Sequence, residues 1–309
     1  MSVAVISENF AGMRAQAEGL LHRLGVEPDF HTILLKGMWR HLPTRFCPDP
    51  LKAAAPIQLA PDTQWLLSIG GRGGAIGAAL RRKTGLKLVQ VQNPRMGFDQ
   101  FDLIIANHHD DISGPNVISI RTALHNVTSD RLASARAEWA ARLQRAGRPL
   151  LCVMLGGSNG RFRLGHEEGR LIGQSLAQMV RQQNIALAVT PSRRTDRQAL
   201  AALTSELEGL DVYIWGDEGD DPYLGMLALA DMVAVTTDSV SMISEAVATK
   251  APVQIIPLPG RSRRISTFVE GLTRLDRVRP FTPDWRPWDV SPLDDTEIAV
   301  EEVRKRLLG

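Results

Sequence analysis

The feature that most restricts the fold of this chain is a unit that recurs along it. Each copy has a short apolar run rich in β-branched residues, a turn of glycine or hydroxyl residues, then a helical pattern. Short apolar runs bounded by turn signals fit strands buried on both faces of a parallel sheet, with the intervening helices as crossovers. In the first half the runs are 3–6, 65–69, 87–91, 101–106 and 116–120, and a helix is predicted over 129–144. Gly147-Arg148-Pro149 reads as a linker, because the pattern restarts at Leu150. Strands are then predicted at 150–155, 185–189, 212–215, 232–235 and 253–257, with helices over 167–181 and 223–230 and a closing amphipathic helix over 296–308. The chain has 309 residues, of which 44% are hydrophobic, so two ordinary α/β domains can each bury a core.

The most informative copy runs from Ala230 to Ala246. Residues 232–235 form a buried strand, and Thr236 to Ser239 make a strand-to-helix turn in which Asp238, Ser239 or Ser241 can cap the helix. No Glu or Gln stands three residues after any of these, so no capping box is expected. Ser241 and Glu245 share one helix face, while Ile243, Ala246 and Val247 can face a sheet. A helix N-terminus favours an anion such as phosphate, and a carboxylate one turn further in can accept bonds from vicinal hydroxyls. Phosphate beside ribose points to a nucleotide-sugar. A cap with a solvated glutamate is the competing reading.

Other strand ends carry further candidates. Gly156-Gly157-Ser158-Asn159-Gly160 resembles a phosphate cradle but lacks the Lys-Ser/Thr of a P-loop. Thr190, Ser192, Arg193 and Arg194 can bind anions, or can simply open a solvated helix. His109 beside Asp110 is the minimum equipment for a general base with an orienting partner, although adjacent side chains often diverge. Gly12 allows close backbone approach or only a tight turn, and Arg95 closes another strand end; both are expected on the acceptor side. The run Gly70-Gly71-Arg72-Gly73-Gly74 invites a dinucleotide reading and fails it. Ile76 stands where the third glycine is needed, and the following strand ends at Gln92, not at an acidic residue. The segment 36–61, with Trp39, Arg40, His41 and Phe46, reads as a loop facing acceptor or membrane, or as ordinary surface.

Composition excludes some classes. Lys plus Arg is 36 against 34 Asp plus Glu, a formal charge of +2, which argues against a nucleic-acid binder. Two cysteines, Cys47 and Cys152, make no disulfide framework. No third ligand accompanies His108 and His109 at useful spacing, so no metal is expected. No signal-like N-terminus or membrane-length apolar run is present, so the expected location is cytoplasmic, with peripheral contact at the inner membrane left open.

Several segments together resemble the mitochondrial-fission ELM family, which has many bacterial members. They are Gly12 with Gln16 and Gly19-Leu20, Ser68 to Arg72, Asn93-Pro94-Arg95, Phe101-Asp102-Leu103, His109-Asp110, Gly156-Gly157-Ser158, Thr190 to Arg194, Pro222 to Ala228, and Thr237 to Ala246. Asn107-His108 departs from the Pro-Glu more usual in the family at that place. The resemblance implies a GT-B-like fold, with two Rossmann-like doubly wound α/β domains facing a cleft. The expected division is 1–147 on the acceptor side, 148–280 for the nucleotide-sugar, and a tail, 281–309, whose helix returns to the first domain. It further implies donor binding by Ser241, Met242 and Glu245, with Gly157 and Ser158 near the phosphates. The expected activity is metal-independent, inverting transfer from a nucleoside-diphosphate sugar, used as substrate with no cofactor, to an acceptor of the lipid-linked or cell-envelope kind. The alternative is a non-catalytic nucleotide-sugar-binding or membrane-division adaptor on the same scaffold.

Overall fold

The computed structural model describes residues 2–42, 46–216 and 218–308; part of the 36–61 loop therefore lies outside the described residues. The chain divides into two compact units, Met1–Asn126 with Asp295–Gly309, and Val127–Asp294.

The first unit is built on β1 (Ser2–Ser7), β2 (Glu27–Thr32), β3 (Thr63–Ile69), β4 (Lys87–Val91), β5 (Leu103–Asn107) and β6 (Val117–Ile120). They form one parallel sheet in the order β2-β1-β3-β4-β5-β6. One face carries Leu20 and Leu21 of α1 (Ala11–Leu24) and Ala299, Val300 and Val303 of the closing helix, packed on Val3, Val5 and Leu67. The other carries Ile76 and Leu80 of α3 (Gly70–Thr84), packed on Ala4, Ile6 and Leu66. The short helix α2 (Pro50–Ala53) begins under Asp49, which accepts from the Lys52 N–H.

The glycine run is not a loop, because α3 begins at Gly70 itself. A Cβ on Gly73 would stand 2.7 Å from the Ile6 carbonyl oxygen, and one on Gly77 would stand 2.9 Å from the Ser68 Cβ. These glycines let a helix lie against the sheet, a packing role rather than a ligand one. Gly12 likewise sits in the first turn of α1, with its carbonyl taken by Gln16 Nε2.

The second unit holds α4 (Ser129–Leu143), β7 (Leu150–Leu155), α5 (His166–Gln183), β8 (Ala186–Pro191), α6 (Arg197–Glu206), β9 (Val212–Ile214), α7 (Tyr223–Leu229) and β10 (Met232–Thr236). It continues through α8 (Val240–Val247), β11 (Val253–Ile256), α9 (Arg263–Arg274) and β12 (Val278–Pro280). Its parallel sheet has the order β12-β11-β10-β7-β8-β9. The strands from β7 run outward to β9, then β10 returns to the other side of β7 and the sheet grows the opposite way. Such a reversal of strand order opens a crevice beyond the strand ends, here between β7 and β10.

The division falls at Asn126, not at Gly147, because α4 packs into the second unit. Trp139 and Leu143 share a core with Met226, Leu227 and Val233, and Gly225 admits the Trp139 ring where a Cβ would stand 2.3 Å from it. Residues 281–294 also stay with the second unit, Leu293 N–H bonding the Val247 carbonyl at 2.8 Å. From Asp295 the chain belongs to the first unit, where Arg121 grips the buried Asp295 carboxylate through Nε at 2.9 Å and its backbone N–H at 2.6 Å. The closing α10 (Thr296–Val303) then packs on α1. Among the described residues no helix is long and apolar enough to cross a membrane.

Candidate functional site

The reversal point of the second sheet brings three loops together. β7 ends in Gly156-Gly157-Ser158, β8 in the Ser192–Thr195 turn, and β10 in Thr236-Thr237-Asp238-Ser239. Their joint is the Asp238 carboxylate, whose side chain is wholly buried. It accepts from Thr236 Oγ1 at 2.7 Å and from the Gly157 N–H at 3.0 Å, and pairs with Arg194 Nη2 at 2.9 Å. Thr236 Oγ1 accepts in turn from the Gly156 N–H at 2.7 Å. The two glycine N–H groups expected to cradle phosphate are therefore occupied by the chain's own oxygens.

Neighbouring candidates serve the same joint. Ser192 Oγ donates to the Gly156 carbonyl at 2.8 Å, and Thr195 Oγ1 bonds that carbonyl too. Ser158 Oγ accepts the Leu164 N–H at 3.0 Å, and Asn159 Oδ1 accepts from Arg161 and Phe162. Thr190 is buried, whereas Arg193 and half of the Arg194 side chain remain exposed. Gly156 to Asn159, Thr190, Ser192 and Asp238 thus shape the rim, where Arg193 is exposed and Arg194 is half-exposed and paired with Asp238.

At α8, Ser239 is the cap, its Oγ accepting from the Met242 N–H at 3.4 Å; Asp238 and Ser241 are not. Ile243, Ala246 and Val247 are buried against the sheet, which turns Ser241, Met242 and Glu245 to the half-buried side. Glu245 is not a solvated residue. Tyr223 at the start of α7 donates its hydroxyl to Glu245 Oε2. Burial pushes the Glu245 carboxyl up to about 7, with the Tyr223 bond and the charge of Arg131 on α4 pulling the other way. Burial and the adjacent carboxylate together push the Tyr223 hydroxyl well up. Sequence reading missed Tyr223 and Arg131, since no local spacing pairs α7 or α4 with α8.

The raised Glu245 carboxyl fixes a sign for stability. The folded state keeps the proton that the unfolded chain loses near its ordinary value of 4.5, so stability falls as pH rises from about 4.5 to about 7 and levels off above. A drop of about 3 kcal/mol is expected across that window in urea titrations, and Glu245→Gln should flatten it.

In the first unit His109 and Asp110 stand together in the 108–110 turn that follows β5. The His109 ring is only 1% exposed, and its Nε2 lies 4.0 Å from Asp110 Oδ1, too long for a hydrogen bond. Asp110 Oδ2 instead accepts the Asn107 N–H at 3.3 Å, closing a capping box on the 108–110 turn. Arg95 is exposed at a strand end with φ +57, its N–H held by Asn93 Oδ1 at 2.8 Å. Among the described residues no group of three His, Cys, Asp or Glu side chains is placed to hold a metal.

Two six-stranded parallel sheets with alternating helices define the GT-B class of fold. Over its whole length the chain matches UDP-GlcNAc 2-epimerase from Methanocaldococcus jannaschii with a TM-score of 0.60 at 13% identity, covering 100% of both chains. It matches MurG from Acinetobacter baumannii with a TM-score of 0.53 at 13% identity, covering 99% of this chain and 90% of that one. The family model described as Mitochondrial fission ELM1 matches residues 11–307, and the chain belongs to that family. Mitochondrial fission protein ELM1 of Arabidopsis thaliana is 28% identical over 262 residues, 75% of this chain and 61% of the plant protein. The chain thus spans about three fifths of that relative's length.

Proposed function

We propose that the second unit binds a nucleoside-diphosphate sugar at the reversal point between β7 and β10. The observation that carries this reading is the placement of α8. Its capped first turn opens at the strand ends with Ser241 beside it, and Glu245 stands one turn deeper on the same half-buried side. The helix N-terminus and Arg193 or Arg194 favour the diphosphate, and Glu245 accepts from the ribose hydroxyls. Met242 contributes apolar contact. Two solved proteins of the same fold are UDP-GlcNAc 2-epimerases, one of them bound to UDP-GlcNAc, which supports a sugar nucleotide as the ligand class.

Metal-independent transfer of the sugar is the extension of this reading. An α-helix dipole with arginines stabilises a departing diphosphate without a cation. The His109 ring is almost wholly buried, so the base assignment is not carried forward. Calorimetric titration with UDP-GlcNAc in EDTA tests the binding reading, and saturation unaffected by added Mg²⁺ is expected. No heat with any nucleoside-diphosphate sugar would end it. Release of UDP only when an acceptor is supplied would identify a transferase, and binding without release an adaptor.

A further inference from the structure

The segment 34–42, Leu-Leu-Lys-Gly-Met-Trp-Arg-His-Leu, holds two apolar sets with different fates. Leu35 is buried and Trp39 partly buried, both packed in the core beneath α3. Leu34, Met38 and Leu42 point outward, exposed by 62%, 63% and 40%. The inward set anchors the turn at Gly37–Arg40, so the outward set is held in place rather than trailing in solvent. Arg72 fixes it further, donating from Nη2 to the Arg40 carbonyl and from Nη1 to Glu8 Oε1, both at 2.7 Å. That clamp joins the turn to the loop bearing Phe10, itself 58% exposed. A clamped group of large exposed apolar side chains marks an interaction surface, not a scatter of tolerated ones.

Charge names the partner. Between Asp29 and Asp49 the sequence has Lys36, Arg40 and Arg45 and no carboxylate. Lys36, Arg40 and His41 are exposed in the same turn as the outward apolar set. Apolar side chains flanked by Lys36 and Arg40, with an aromatic at their base, suit the boundary between anionic headgroups and acyl chains. We propose that this face of the first unit docks on an anionic lipid surface, with Leu34, Met38, Leu42 and Phe10 inserting and Lys36 and Arg40 pairing with headgroups. The attachment is peripheral, and it stands independently of the nucleotide-sugar reading.

Co-sedimentation of the full chain with vesicles of phosphatidylcholine alone, or with added phosphatidylglycerol, tests it. Binding is expected to the anionic vesicles, weakening as salt rises. Leu34→Asp with Met38→Asp should lower partitioning by about tenfold or more, since two inserted side chains are lost. Lys36→Gln should lower it about fivefold at low salt, the worth of one cation near the surface. Both changes fall on exposed positions, and an unchanged thermal midpoint would certify the fold. Absence of binding to anionic vesicles would overturn the proposal, as would equal, salt-independent binding to both compositions. Light scattering that shows a dimer made monomeric by Leu34→Asp with Met38→Asp would assign the face to a second copy instead, and so contradict it.

Discussion

Gly157→Ala is expected to destabilise the second unit by about 3 kcal/mol or more, at or above the upper end of ordinary overpacking costs. A Cβ there would stand 2.0 Å from the Arg194 carbonyl oxygen and 2.2 Å from its carbonyl carbon, both backbone atoms that cannot swing aside. The β7 and β8 loops would have to part. Parting them pulls the Gly157 N–H from Asp238 and strains the Asp238–Arg194 pair. Gly156→Ala meets a side chain instead, with Asp238 Oδ1 at 2.2 Å, yet that carboxylate is buried and triply engaged and has little freedom to yield. For a unit of this size the loss should lower the thermal midpoint by roughly 6–12 °C. Gly160→Ala is the control in the same loop, because nothing lies within 4 Å of its added carbon. If Gly157→Ala melts like Gly160→Ala, the close joint between the two loops does not exist in solution.

The parts of the fold that were legible in the sequence share one property: their signal is local. Buried parallel strands such as Leu150–Leu155 read as unbroken apolar runs, and β10 with α8 reads as a β-branched run followed by a hydroxyl cap. The edge strand β2 escaped notice. Its sequence, Glu-Pro-Asp-Phe-His-Thr, is half-buried, and Pro28 cannot donate to a ladder; both are tolerated because only β1 pairs with it. The helix α9 opens on Arg263-Arg264, which dilute its apolar pattern. The usable signal was Ser262 as cap with Ile265, Phe268 and Leu272 on one face.

The site was less legible, for a physical reason. Which candidates face a ligand depends on partners far away in sequence. Asp238 looks like a cap from its neighbours, but its partners Gly157 and Arg194 lie on β7 and β8 loops. Glu245 looks solvated until Tyr223 is brought to it from α7. Adjacency in sequence also hid the burial of His109, whose ring is only 1% exposed. The family resemblance, in contrast, is confirmed over residues 11–307, because it rested on many short segments at once.

The central claim is that Glu245 is a ligand-binding carboxylate. It is tested most directly by titrating the wild type and Glu245→Gln with UDP-GlcNAc at several pH values, monitored by calorimetry. A charge-assisted hydrogen bond is worth roughly 1.5–3 kcal/mol, so at pH 8 the glutamine variant should bind about 10- to 100-fold more weakly. The carboxyl titrates at about 7 and must be ionised to accept both hydroxyls. Wild-type affinity should therefore rise about tenfold between pH 6 and pH 8, as the fraction ionised rises. The diphosphate of a nucleotide-sugar stays fully charged over that range, so the slope belongs to the protein, and Glu245→Gln should abolish it. Equal affinities for the two proteins at pH 8, with the same pH slope in both, would contradict the account at its centre.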